Sequence, residues 1–251
     1  MLAMARLLPP NRAWEISGDL ASLRPLNAEY REERLRAANR GGDDQQILGA
    51  CFSAVDLGVR PAFFLENRAA LRLAREDNRG AAEDIAGILA LAGSRARILV
   101  LTGDLRLKQG DAEGALRAYV RAERLDPTQA DLWAGRGVAW HTLGRLNEAI
   151  AALARAVQLR PGDPWFRNNL AVVLRDSGRT AEARASFEEA ARLSPGFFEP
   201  HFNLGLLEER EGRLEAARTH VSRARGIRGG FGPLEAAWER LGGDGAGTRR
   251  P

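Results

Sequence analysis

The side chains able to move protons, hold a metal or attack a substrate are few in this sequence and spread along it. His141, His201 and His220 are its three histidines. None lies in a pairing such as His-Glu-x-x-His, which would bring two imidazoles to one metal. A solitary histidine of this kind reads as a solvated side chain before it reads as a ligand or a base. The acidic neighbours Glu188-Glu189 and Glu208-Glu209 fall on helical stretches. They read as solvated faces, because no counterpart group is placed to make them an acid–base pair. Cys51 is the single cysteine, which excludes both an intramolecular disulfide and a multi-cysteine zinc site. Gly135-Arg136-Gly137 sits inside a helical pattern and not after a strand, so it is no dinucleotide-binding turn. No phosphate loop ending in Lys-Ser or Lys-Thr occurs. The chemistry left to this chain is recognition, without cofactor or metal.

The elements that would position recognition groups follow from a period. Pro127, Pro161 and Pro195 are spaced 34 residues apart, and the residues between them repeat in phase. Gly103, Gly137, Ala171 and Gly205 share one phase, and Ala115, Ala149, Ala183 and Ala217 another. Ala122, Ala156, Ala190 and Ala224 share a third. Small residues carry the period because two antiparallel helices approach closely only where side chains are absent or a single methyl. Gly110, Gly144, Gly178 and Gly212 end one helix of each pair in a left-handed residue; the prolines stop the other in three pairs, and Gly229 is a softer stop in the fourth. Larger residues fill the gaps: Leu99 and Trp133 in first helices, Tyr119, Leu153, Phe187 and Val221 in second helices. Trp133 and Trp140, seven apart on one face, read as core.

The run Trp133…Gly137…Trp140…Gly144…Ala149…Leu153…Ala156…Pro161 resembles the tetratricopeptide repeat family in its aromatic, small and proline spacing. The resemblance extends from Ala96 to about Gly230. It implies an all-α fold, a right-handed α-solenoid of antiparallel helix pairs. Arg167 and His201 stand where Trp133 stands, so the third and fourth units are expected to lose that anchor. Arg136 has no explanation at this level.

Along the chain, residues 1–26 read as an irregular leader and 27–95 as two degenerate helix pairs. The first of these pairs spans Asn27 to Asn39 and Asp43 or Asp44 to Leu57, and the second runs from Pro61 to Arg75 and from about Gly80 to Leu91. Four repeats follow at 96–129, 130–163, 164–197 and 198–231, then a capping helix at 232–241 with Leu234, Ala237, Trp238 and Leu241 on one face. Residues 242–251 read as a disordered tail.

Hydrophobic content of 45% with only 6% aromatic suits Ala- and Leu-rich helices. The formal charge of +4 arises from interleaved acids and bases, so no continuous basic face for nucleic acid is expected, despite Arg223, Arg225 and Arg228. No apolar run approaches the ~20 residues that span a bilayer, and the segment from Met1 to Pro10 is too short for a secretory signal core. The expectation is a soluble, cytoplasmic, non-catalytic protein.

In the family this chain resembles, first helices line a concave groove, and helical spacing selects the residues that face it. These are Arg97, Leu101, Asp104 and Lys108, then Asp131, Val138 and His141. From the third unit come Trp165, Asn168, Asn169, Val172 and Arg175, and from the fourth Glu199, Phe202, Asn203, Leu206 and Glu209. The resemblance associates Asn169 and Asn203, in equivalent phases, with hydrogen bonds to the backbone of an extended peptide, and a carboxamide donates and accepts at once. The other reading is that both are solvated or satisfied within the array. Trp165 and Phe202 offer apolar pockets to a partner or pack between units. The basic residues with which some family members hold a terminal carboxylate are missing.

The function expected is a protein–protein interaction adaptor or scaffold that binds an extended or helical segment of a partner. The alternatives are a self-associating architectural protein, as a homo-oligomer, and an accessory subunit of a larger enzyme or envelope assembly machine.

Overall fold

The computed structural model describes residues 61–92 and 95–243. The expected leader, the helix pair from Asn27 to Leu57 and most of the expected tail lie outside the described residues. Within them are eleven helices and no strand. They pair as α1 (Pro61–Ala74) with α2 (Asn78–Ala92), α3 (Ala96–Lys108) with α4 (Ala112–Leu125), and α5 (Ala130–Thr142) with α6 (Leu146–Leu159). Next come α7 (Pro164–Asp176) with α8 (Thr180–Leu193) and α9 (Phe198–Arg210) with α10 (Leu214–Ile227), and α11 (Gly232–Arg240) closes the series. The architecture is an α-solenoid of helix pairs, divided between Leu125 and Asp126 into two compact units.

The turn inside each pair is dictated by one left-handed residue. At the end of α3, Gly110 has φ +81°, and its N–H donates to the carbonyl of Leu107 at 2.9 Å. The N–H of Asp111 donates to the carbonyl of Arg106, also at 2.9 Å. This pair of bonds satisfies carbonyls that the helix end leaves without partners. Gly144, Gly178 and Gly212 repeat the geometry. So does Glu76, 34 residues before Gly110, at φ 63° and without the glycine that makes such a backbone easy. The α1–α2 pair therefore turns in register with the other four.

Close approach explains the second recurring glycine. A Cβ on Gly137 would lie 2.4 Å from Leu153 Cγ, one on Gly103 2.4 Å from the Tyr119 ring, and one on Gly205 2.5 Å from Val221. In the α7–α8 pair Ala171 and Phe187 share one core. In three pairs the second helix thus drives one large side chain onto a bare stretch of its first helix, and in α7–α8 onto an alanine.

In the first unit the core of Leu65, Ala69, Leu73, Ala81, Ile85 and Ile88 continues into Ile98, Leu101 and Leu105 of α3. In the second unit three cores overlap along the chain, each spanning three consecutive helices. The last is closed by Leu234, Ala237 and Leu241.

Several expectations are corrected. Trp133 and Trp140 are only half-buried, packing on the edge of the core under Arg136 and Arg145, whose guanidinium carbons lie 4.8 Å and 4.2 Å from the ring centroids. That stacking also accounts for Arg136. The anchor is not lost in the third unit: Trp133 Nε1 donates to the carbonyl of Pro127 at 2.8 Å, and Arg167 Nε donates to the carbonyl of Pro161 at 3.2 Å. Glu208 is no solvated surface residue. It is 3% exposed and ion-paired to Arg184 and Arg213.

Candidate functional site

Within the second unit, the first helices of successive pairs touch one another, α5 on α7 and α7 on α9. These three helices carry most of the residues that helical spacing selects. Asp163 caps α7 by accepting the N–H of Trp165 at 3.0 Å, and Pro164 takes the first helical position, where its missing N–H costs nothing. Trp165 thereby stands at the start of the face, 58% exposed and stacked on Phe197, with ring centroids 6.2 Å apart and planes at 24°.

A chain of polar contacts crosses the other end of the face. His141 Nε2 and Asp176 Oδ2 lie 2.8 Å apart, joining α5 to α7. Arg175 donates through Nε to Asp176 at 2.9 Å and through a terminal nitrogen to Asn203 Oδ1 at 3.2 Å. Asn203 Nδ2 in turn donates to Asn168 Oδ1 at 3.2 Å. Burial pushes the Asp176 carboxyl up, but the hydrogen bonds from Arg175 and His141 and their charges outweigh it and hold the carboxyl below the usual carboxylate range. His141 is therefore no solitary solvated histidine.

These contacts separate the two asparagines that sequence phase equates. Asn203 is occupied within the array, and its partner is Asn168, which is 6% exposed. Asn169 is half-exposed and makes no side-chain hydrogen bond among the described residues. Val138 is exposed, and Val172 and Leu206 are half-buried against neighbouring cores. Asp131 is held by Arg160 at 2.9 Å. Phe202 meets Phe231 edge-on at 6.2 Å, and Arg240 of α11 pairs with Glu209 at 2.9 Å, so the far end of the face is engaged by the closing helix region.

In the first unit the selected residues diverge. Leu101 is 7% exposed and belongs to the core. Asp104 accepts the Tyr119 hydroxyl proton at 2.6 Å; burial, then the Asp104 charge, pushes the tyrosine pKa up. Arg97 lies 4.0 Å from Glu66, and Lys108 is exposed at the end of α3.

Sequence reasoning missed Asp176 and Phe197. One signal was available for the first: His141, Arg175 and Glu209 share a phase, and a row of mixed charge on touching helices invites internal pairing. It also separated His201 from His220. The structure stacks them at 6.1 Å, with His201 5% exposed and neither of its ring nitrogens hydrogen-bonded. Arg225 pairs with Glu235 at 2.9 Å, and Arg228 lies over Phe198 and Phe231, so both are engaged within the fold.

Among the described residues no group of His, Cys, Asp or Glu could hold a metal ion, and no helix is long and apolar enough to cross a membrane. The face offers stacking, apolar contact and amide hydrogen bonding.

Solved structures share this fold. A chain of the APC/C hetero-tetramer Cut9–Hcn1 matches with a TM-score of 0.81 at 16% identity, over 92% of this chain and 46% of that one. This protein thus spans less than half the length of that relative. A tetratricopeptide repeat protein from Parabacteroides merdae matches with a TM-score of 0.72 at 17% identity, over 92% of both chains. MamA matches with a TM-score of 0.53 at 22% identity, over 63% of this chain and 93% of that one. No curated protein sequence matches. A family model for the tetratricopeptide repeat matches residues 100–164 and 168–231, just over half of the sequence. With the 34-residue period, the left-handed glycines and the stacked helix pairs, that match places the chain in the tetratricopeptide repeat family.

Proposed function

We propose that the protein is a non-catalytic adaptor that binds an extended or helical segment of a partner protein on the face formed by α5, α7 and α9. The observation that carries this reading is a set of exposed or half-exposed side chains that the fold itself uses little. Trp165 is exposed, Asn169 has both amide functions available, and Val138 is exposed, all on helices whose remaining residues are paired or packed. An exposed aromatic beside a free carboxamide suits a peptide: the ring supplies contact area and the amide reads the backbone. Asn203 has no such role in this reading, because Arg175 and Asn168 already hold it.

The test compares partners captured from the source cell by the wild-type chain and by an Asn169→Ala/Val138→Glu variant with unchanged helicity. Loss of specific partners from the variant supports the face. Equal retention overturns it and moves recognition elsewhere on the molecule.

A further inference from the structure

Among the described residues, arginines lie over three of the tryptophans. Arg136 lies 4.8 Å from the ring centroid of Trp133, Arg145 4.2 Å from Trp140, and Arg225 5.4 Å from Trp238. Phe166, Phe198 and Phe231 carry guanidinium groups as well. Trp165 is the exception among the described tryptophans, with no cation of the described residues over its ring. The arginines nearest to it in sequence are engaged elsewhere. Arg160 is bound by Asp131 and Asp163 and lies over Phe166, and Arg167 donates to the Pro161 carbonyl.

The indole is also prepared to receive a ligand. Pro164 and the Asp163 cap fix its backbone, and Phe197 backs the ring. Binding would therefore order little that is not already ordered. The next repeat contributes a carboxylate. Glu199 lies two residues beyond Phe197, in the first turn of α9 and in the slot equivalent to Trp165 one repeat earlier. It has no ion pair or hydrogen bond among the described residues. The electronegative face of an indole and an unpaired carboxylate have the same complement, a positive charge on an aliphatic stem.

We propose that Trp165 receives an arginine or lysine side chain of the partner segment, with Glu199 neutralising its charge. This rests on the reading of the α5–α7–α9 face as a binding surface, and it names the chemistry that the surface selects.

A random-peptide display library panned against the full chain tests it. The expected result is enrichment of peptides bearing arginine or lysine. Trp165→Leu should weaken their binding about five- to tenfold. Glu199→Gln should weaken it less, and replacing the peptide arginine by the neutral isostere citrulline should match the Trp165→Leu loss. Both substitutions are at accessible side chains, and circular dichroism checks that each variant folds. Peptides that depend on Asn169 and Val138 but lack basic residues, or ignore Trp165→Leu, overturn the cation proposal and leave the face intact. Peptides that ignore all four positions, or none enriched, overturn both. Single-stranded oligothymidine binding that is lost with Trp165→Leu while peptide binding is not would also overturn the proposal, since the indole would then be a base-stacking platform.

Discussion

The indole N–H of Trp133 is hydrogen-bonded to the carbonyl oxygen of Pro127 at 2.8 Å, which ties the first turn of α5 to the proline that ends the preceding helix. A proline is a good acceptor here, because it cannot continue a helix and leaves its own carbonyl available. Thirty-four residues later Arg167 and Pro161 make the same tie with different chemistry, at 3.2 Å. Trp133→Phe keeps a ring in place and removes the donor. It should lower stability by about 1 kcal/mol. Urea unfolding and faster amide exchange at the start of α5 are the readouts, and unchanged exchange there would show the bond to be incidental.

Gly137 and Gly144 are both repeat glycines but should respond differently to alanine. At Gly137 the new methyl meets Leu153, so Gly137→Ala should cost about 1–3 kcal/mol through overpacking. Leu153→Ala in the same chain should relieve part of that clash, giving a favourable coupling in a double-mutant cycle. At Gly144 there is open space but φ is +74°, so the cost is backbone strain of about 1–2 kcal/mol and Leu153→Ala should not relieve it. Gly162→Ala, in open space without positive φ, serves as the control, expected within about 0.5 kcal/mol of wild type.

Glu76 holds the left-handed turn of the α1–α2 pair with a side chain that this backbone disfavours. Glu76→Gly should therefore stabilise that pair by about 1 kcal/mol. Slower amide exchange in α1 and α2 is the measurement. A destabilised variant would mean that the Glu76 side chain contributes more than its backbone loses.

His201 and His220 should make stability fall on acidification. Burial lowers the pKa of His201, helped by Arg223 and His220. Burial also lowers that of His220, with Arg184 and Arg223 adding to it and Glu208 and Glu188 opposing. Both folded values lie below the unfolded value of about 6.5. The unfolded chain then binds more protons below that pH, so stability present above it is lost as pH falls through the folded pKa values. His201→Phe should flatten the profile of urea midpoint against pH between about 7 and 5. An unaltered slope would assign the titration to other groups.

The helix-pair architecture is legible in the order of residues alone, because its causes are local. A glycine with positive φ at Gly110, Gly144, Gly178 and Gly212, and Pro127, Pro161 and Pro195 after three of the second helices, act through the backbone of their own turns. The small-residue phase of Gly103, Gly137 and Gly205 is legible too, since only close packing explains a bare position at a fixed spacing. Glu76 shows the limit of such reading, as the turn persists where its marker residue is gone.

The binding face is different, because availability depends on what neighbouring helices do with each side chain. Asn169 and Asn203 are equivalent in phase, yet Arg175 and Asn168 claim one of them and nothing among the described residues claims the other. Glu208 and Glu209 look like one acidic pair, yet one is buried between Arg184 and Arg213 and the other is bridged to Arg240. A hydrogen bond or ion pair forms over about 3–4 Å between groups brought together by folding. Spacing along the chain ranks the candidates for such contacts, and packing in three dimensions decides which residues remain free for a partner.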